Sequence, residues 1–131
     1  MTRARSRPRH VSGRMNKSET EYAAILQERQ DAGELKKFRF EDTTLRLTLG
    51  DGKQVRYTPD FRVMENDDTI TFVDVKPAWF SKQAQRVILQ PEEDAKIKIR
   101  VAADVFPEYR FRAVGKRPKK YGGGWIEEDV G

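Results

Sequence analysis

The chain has 131 residues, with 26 Lys and Arg against 21 Asp and Glu, a formal net charge of +5. It contains no cysteine and a single histidine, which excludes disulfides, thiolate nucleophiles, cysteine-ligated metals and histidine-based triads. Any catalysis must therefore use carboxylates, lysine and hydroxyls, with or without a hard, oxygen-preferring metal.

The positive excess sits at one end. Arg3, Arg5, Arg7, Arg9, Arg14 and Lys17 fall within the first 17 residues, which hold no acid, and the rest of the chain carries 20 basic and 21 acidic side chains. The body is balanced, so an anion-binding surface there must come from uneven placement of charge. The tail, which includes His10, has no hydrophobic segment of the secretory kind, and Pro8 and Gly13 interrupt the amphipathic helix of a mitochondrial presequence. It reads as a solvated appendage, with Met15 the effective start of the folded part, or as an arm with sequence-independent phosphate affinity. No stretch approaches the roughly 18 apolar residues of a membrane span, and the expected location is cytoplasmic. A body of this size supports one domain with a modest core. The expected boundaries are a basic tail at 1–17, a folded domain at 18–116 and a flexible extension at 117–131.

Ser18-Glu19-Thr20-Glu21 fits a capping box, with the Ser18 hydroxyl and the Glu21 carboxylate as reciprocal partners. Tyr22, Ile25, Leu26 and Arg29 continue at helical spacing and Gly33 is a plausible stop, which predicts a helix over about 19–32. Phe38 to Glu41 and Thr44 to Leu49 alternate as half-buried strands do. Asp51-Gly52 is a strong hairpin signal, and Gln54 to Thr58 returns antiparallel. Pro59 marks an irregularity, after which Phe61 to Met64 resumes the strand. Asn66-Asp67-Asp68 makes a second turn, and Thr69 to Lys76 is the most β-prone run in the chain, ended by Pro77. Residues 77–91 fit a short helix or an ordered loop. Pro91 followed by Glu92, Glu93 and Asp94 suits a first helical turn, and Ala95, Ile99, Ala102 and Phe106 share one helical face, so a helix is expected over 94–106. Tyr109 to Val114 reads as a last strand. Beyond it only Trp125-Ile126 breaks an otherwise flexible composition.

The chemistry concentrates in two of these strands. Asp60 follows Pro59 at the irregularity, while Asp74 and Lys76 lie two apart near the end of the next strand, a spacing that points both side chains to one face. If the strands are hairpin neighbours, Asp60 and Asp74 converge at one sheet edge. Two close carboxylates repel, and a divalent cation taking oxygen ligands relieves that repulsion. The Val75 carbonyl offers a further oxygen, and Glu19, in the first turn of the opening helix, reaches the same place if the helix packs over the sheet. Lys76 beside such a metal can orient or deprotonate a water, or offset charge on a phosphate, which suits phosphodiester hydrolysis. Taken singly, Pro-Asp and acid-x-Lys are commonplace and read equally as a turn and a surface ion pair. Their combination and order carry the signal.

That order, Glu19, then TPDF at Thr58–Phe61, then FVDVK at Phe72–Lys76, resembles the PD-(D/E)xK nuclease superfamily. More narrowly it is similar to the endonuclease I type Holliday-junction resolvases of phages and to related small phage and prophage nuclease-like domains. The resemblance runs from about Asn16 to Lys116 and includes NKSETEYA, the FRFE strand, DVKPAW and AADVFPEYRFRAV. It implies an α/β, restriction-endonuclease-like αβββαβ core with a central mixed sheet flanked by helices. It also implies a Mg2+- or Mn2+-dependent DNA endonuclease selecting branched or junction DNA, working as a homodimer, in the host bacterial cytoplasm if phage-encoded. The family's metal-binding acids fall on Asp60 and Asp74 and its catalytic lysine on Lys76. Its helical acid falls on Glu19, with Glu21 as a register-shifted alternative, and Glu41 matches an additional acid of the endonuclease I branch. Pro77 stands where the family usually has glycine.

Lys82, Arg86, Lys96, Lys98 and Arg100 follow the motif and are candidate phosphate contacts, or an ordinary solvated charged face. Trp79 and Phe80 either stack on a distorted base step or cover the core. No recognition helix, zinc finger or RNA-binding aromatic pair is present, so base-specific readout has no support. Two rival readings accompany the first: a less selective nicking or DNA-processing phage nuclease, and a non-catalytic basic DNA-binding or virion-associated protein.

Overall fold

The computed structural model describes residues 13–89 and 93–130, without the side chains of 93–97. The arginine-rich segment before Gly13, His10 included, lies outside the described residues. The first helix, α1 (Lys17–Asp31), is capped by Asn16 and not by Ser18. The Asn16 side chain accepts from the Glu19 amide at 2.8 Å, and the Glu19 carboxylate accepts from the Asn16 amide at 2.8 Å. The sequence contains two overlapping capping boxes, N-K-S-E and S-E-T-E. The observed one turns the Glu19 carboxylate back toward the helix start, where it is buried. Tyr22 and Leu26, four residues apart, lie on the buried face. Gly33, at φ +77°, leads the chain out of the helix in the left-handed conformation that a glycine adopts without steric cost.

Among the described residues, nine strands follow the first helix: β1 (Lys37–Phe40), β2 (Leu45–Thr48), β3 (Gln54–Tyr57), β4 (Phe61–Met64), β5 (Ile70–Val75), β6 (Ala78–Ser81), β7 (Arg86–Leu89), β8 (Arg110–Lys116) and β9 (Trp125–Val130), with helix α2 (Glu93–Val105) between β7 and β8. Five of them form a mixed sheet in the order β1-β4-β5-β8-β9, in which β5 and β8 are parallel and the other neighbours antiparallel. The pairs β2–β3 and β6–β7 are separate two-stranded hairpins. Without the two hairpins, the elements run α1, β1, β4, β5, α2, β8, with β9 added at the edge.

Three expectations are corrected. Gln54–Thr58 and Phe61–Met64 are not one strand interrupted at Pro59: β3 pairs with β2 in a hairpin inserted between β1 and β4, and β4 belongs to the central sheet. Residues 78–89 are a β-hairpin, neither helix nor irregular loop. Its turn passes through Gln85 at φ +55°, a conformation uncommon for glutamine that no sequence signal announces. Of the expected flexible extension at 117–131, residues 117–130 are ordered: a 3-10 turn at Lys119–Tyr121 leads into β9, which pairs with β8 over six residues, and residue 131 lies outside the described residues. Acidic β9 is held there partly by Arg112, which bonds Asp129 at 2.9 Å.

Both faces of the sheet are covered, as its hydrophobic strands require. On one face Tyr22 and Leu26 of α1 pack with Leu35, Phe61, Val63, Val73 and Val114. On the other, Ile99 and Ala102 of α2 join Leu45, Leu47, Tyr57, Phe72 and Phe111, so the hairpin β2–β3 and α2 share that side. Side-chain alternation in β5 divides the two cores, with Val73 on the α1 side and Phe72 on the α2 side. Asp74 therefore points to the same side as Phe72, where Tyr57 waits. No described helix is long and apolar enough to cross a membrane.

Candidate functional site

The C-terminal ends of β1 and β5, the N-terminal end of β4 and the start of α1 meet at one end of the sheet. The β4–β5 ladder explains why an opening exists there. Phe61 pairs with Val73 and Val63 with Thr71, and the Glu65 amide bonds the Thr69 carbonyl at 2.9 Å, so alternate pairs in this register exchange hydrogen bonds. The next such pair would be Pro59 with Val75. Proline has no N–H to give, and the ladder stops. The Val75 amide turns to the Asp60 carboxylate instead, at 2.8 Å. Because the N–H and C=O of one strand residue leave on the same side, the Val75 carbonyl is aimed at the same opening.

Four carboxylates gather around it. One oxygen from each of Glu19, Glu41 and Asp60 lies within 4.8 Å of the others. Glu41 follows β1 at φ +46°, its amide bonded to the Asp60 carbonyl at 2.9 Å and one carboxylate oxygen taking the Gly13 amide at 2.8 Å. Asp74, only 4 % exposed, accepts from the Tyr57 hydroxyl at 2.5 Å and from the Asp60 amide at 3.3 Å. Glu19 is 3 % exposed. The α1 side of the sheet thus delivers Glu19, the opposite side delivers Asp74, and Asp60 lies between them.

This arrangement is electrostatically unfavourable on its own. Burial, the Asp74 charge and then the Glu19 carboxylate push the Asp60 carboxyl up to about 8. Burial also raises Asp74, although Lys76, the Tyr57 hydroxyl and the Asp60 amide pull it the other way. Burial beside Asp74 pushes the Tyr57 hydroxyl far up, so it stays a hydrogen-bond donor. A set of carboxylates with a main-chain carbonyl suits a hard divalent cation such as Mg2+ or Mn2+, and such a cation would offset the repulsion. Glu19, Glu41, Asp60 and the Val75 carbonyl are the groups that would hold it directly, with Asp74 joining if Tyr57 yields an oxygen.

Lys76 is half-buried just beyond β5, its amide bonded to the Val114 carbonyl at 2.7 Å. It lies close enough to Asp74 to favour that carboxylate, yet it makes no salt bridge among the described residues. Gly115 fixes the position of its backbone: a Cβ there would lie 2.7 Å from the Lys76 carbonyl and 2.3 Å from Leu89 Cδ2.

The structure thus brings Glu19, Asp60, Asp74, the Val75 main chain and Lys76 to one place, together with Glu41, the additional acid that the family resemblance named. Glu21 is not at the site: its carboxylate pairs with Lys116 at 2.7 Å, which lowers its pKa. Lys82 and Arg86 are exposed on the β6–β7 hairpin. Lys98 and Arg100 ride on α2, which packs over β2–β3, and the Lys96 side chain lies outside the described residues. Tyr57 and Asn16 were not anticipated as parts of the site. The signal for Asn16 was the earlier N-x-x-E box. For Tyr57 it was an aromatic hydroxyl in the strand leading to Pro59-Asp60. Comparison with known protein families, with curated proteins and with solved structures returns no match.

Proposed function

We propose that the chain is a divalent-metal-dependent endonuclease that hydrolyses phosphodiester bonds in DNA, selecting branched or junction DNA by structure. The observation that carries this reading is the convergence of Glu19, Asp60 and Asp74 beside Lys76 at the point where β4 and β5 part. The order α1, β1, β4, β5, α2, β8 supports a restriction-endonuclease-like core. A bound Mg2+ or Mn2+ supplies a Lewis acid for the phosphate and a lowered pKa for its water. Asp60 and Glu19, with Glu41 and the Val75 carbonyl, hold that ion. Asp74, fixed by Tyr57, keeps a second negative charge next to it. Lys76, whose ammonium makes no salt bridge among the described residues, orients the attacking water or offsets the charge that builds on the phosphate oxygens. Resolving a four-way junction takes two paired cuts, so the proposal includes a homodimer.

The test incubates purified protein with a four-way junction, a linear duplex and a single strand, with Mg2+ or with EDTA. The reading expects Mg2+-dependent cleavage of the junction ahead of the other two, lost in Asp74→Ala and Lys76→Ala while DNA binding is kept. Equal cleavage of all three substrates leaves a nuclease without junction selectivity. Binding with no cleavage in any divalent metal refutes the enzyme in favour of a DNA-binding protein.

A further inference from the structure

Hairpin β6–β7 leaves the site directly. Only Pro77 separates Lys76 from Ala78, so the Trp79 α-carbon lies within about 11 Å of that of Lys76, the most that three residues can span. Alternation sends neighbouring side chains of β6 to opposite faces. Ala78 borders Gly115, and Phe80 stacks on Tyr121 with ring centroids 4.6 Å apart and planes 13° from parallel. Those contacts anchor the hairpin to the segment joining β8 and β9. Trp79 takes the other face, 42 % exposed, where its cross-strand partner is Ile88 and the next pair is Ser81 with Arg86. The exposed large apolar side chains of the described residues are Met15, Trp79, Val105 and Tyr121, and two of these four belong to this one assembly.

Charge is placed the same way. Residues 76–90 hold Lys76, Lys82 and Arg86, residues 115–126 hold Lys116, Arg117, Lys119 and Lys120, and neither segment contains an acid. The Phe80–Tyr121 stack brings the two segments together. In a body with nearly equal numbers of acids and bases, these two segments supply bases and no acids, Lys116 being paired with Glu21, next to an acid cluster that would otherwise repel a polyanion. An exposed indole among Lys and Arg is the combination that holds single-stranded nucleic acid, the ring taking a base and the cations the phosphates.

We infer that the β6–β7 hairpin is a base-stacking arm that holds an unpaired nucleotide of single-stranded DNA on Trp79, its phosphates on Lys82 and Arg86. The inference rests on the nuclease reading and narrows its substrate to DNA with unpaired nucleotides beside the cut. It is tested on the full chain in EDTA, titrated with a labelled oligothymidylate and with a duplex. Oligothymidylate should quench tryptophan fluorescence, and Trp79→Phe should remove most of that quenching while keeping binding within a few-fold. Trp79→Ala should weaken single-strand binding roughly five- to a hundred-fold and duplex binding much less. Lys82→Ala with Arg86→Ala should flatten the salt dependence by about 1.4 in log–log slope. Unchanged oligothymidylate binding in Trp79→Ala overturns the arm. So does loss of a dimer in light scattering in place of loss of DNA binding, which would mark Trp79 as a contact between copies. Trp79-dependent binding without cleavage in any divalent metal refutes the nuclease and leaves the arm standing. Metal-dependent cleavage with single-strand binding indifferent to Trp79→Ala refutes the arm and leaves the nuclease.

Discussion

Replacing Asp60 by Asn should stabilise the metal-free protein while abolishing the proposed cleavage. Asp60 titrates at about 8 in the fold because it is buried beside Asp74 and Glu19, against about 3.9 in an unfolded chain. Between those values the folded state binds a proton that the unfolded state has released, so wild-type stability falls as pH rises from about 4 to about 8 and is level above that. At pH 7 the accumulated loss is about 4 kcal/mol, from about 1.4 kcal/mol for each of roughly three pH units above the unfolded value. Asn has no charge to suppress, and its side-chain oxygen can still accept from the Val75 amide. If half the loss is recovered, about 2 kcal/mol, Tm should rise by roughly 6–10 °C for a chain of this size. Calorimetry in EDTA across roughly pH 4 to 9 reads this directly. The gap between variant and wild type should be widest at neutral and alkaline pH and shrink on acidification, and Mn2+ should raise the Tm of the wild type alone. A variant no more stable than wild type at pH 7, or a gap that widens on acidification, would refute the idea that these carboxylates are held together against their own repulsion.

Tyr57→Phe removes the hydroxyl that bonds Asp74 and leaves a buried carboxylate oxygen short of a donor. It should cost about 1–3 kcal/mol in urea denaturation and lower cleavage without loss of DNA binding. Gly115→Ala drives a methyl group into the Lys76 carbonyl and Leu89; overpacking of this kind costs about 1–3 kcal/mol. Because a backbone carbonyl must move, activity should fall further than stability predicts, measured by comparing cleavage rate with the folded fraction. Asn16→Ala removes one half of the capping box and should cost about 1 kcal/mol. Asn16→Asp should restore that stability, and the two variants compared by thermal melting separate capping from any other role.

The antiparallel pairing that joins Asp60 to Asp74 was legible because both strands alternate and the turn between them is polar and local. Lys76 was legible for the same reason. What could not be read was set by distance in the chain. Glu41, which only the family resemblance named, approaches Asp60 because β1 pairs with β4 across an inserted hairpin, and Tyr57, which nothing named, meets Asp74 because that hairpin folds onto the α2 side of the sheet. Strand β9 sets three consecutive acids, Glu127 to Asp129, between apolar ends, and those acids are met by arginines on other elements, such as Arg112 and Arg29. The start of α1 failed for a different reason: Asn16 and Ser18 each begin a chemically sound capping box, and only tertiary packing chooses between them. The hairpin at 78–89 carries no Asn-Gly or Asp-Gly signal at its turn and so gave no periodic warning.

The parallel pairing of β5 with β8 has a consequence for the order in which function can arise. Every acid of the cluster lies between Glu19 and Asp74, within the N-terminal part of the chain, and that part closes through antiparallel contacts. The lysine's backbone is secured from the far side, by the Val114 carbonyl and the close approach of Gly115. A nascent chain that has completed its acid cluster but not yet β8 therefore lacks a fixed Lys76. Under the proposed chemistry such a chain could gather a cation and yet cut nothing, so full synthesis becomes the condition for activity. Truncations ending before and after β8, compared for metal-induced stabilisation and for cleavage, would separate the two stages.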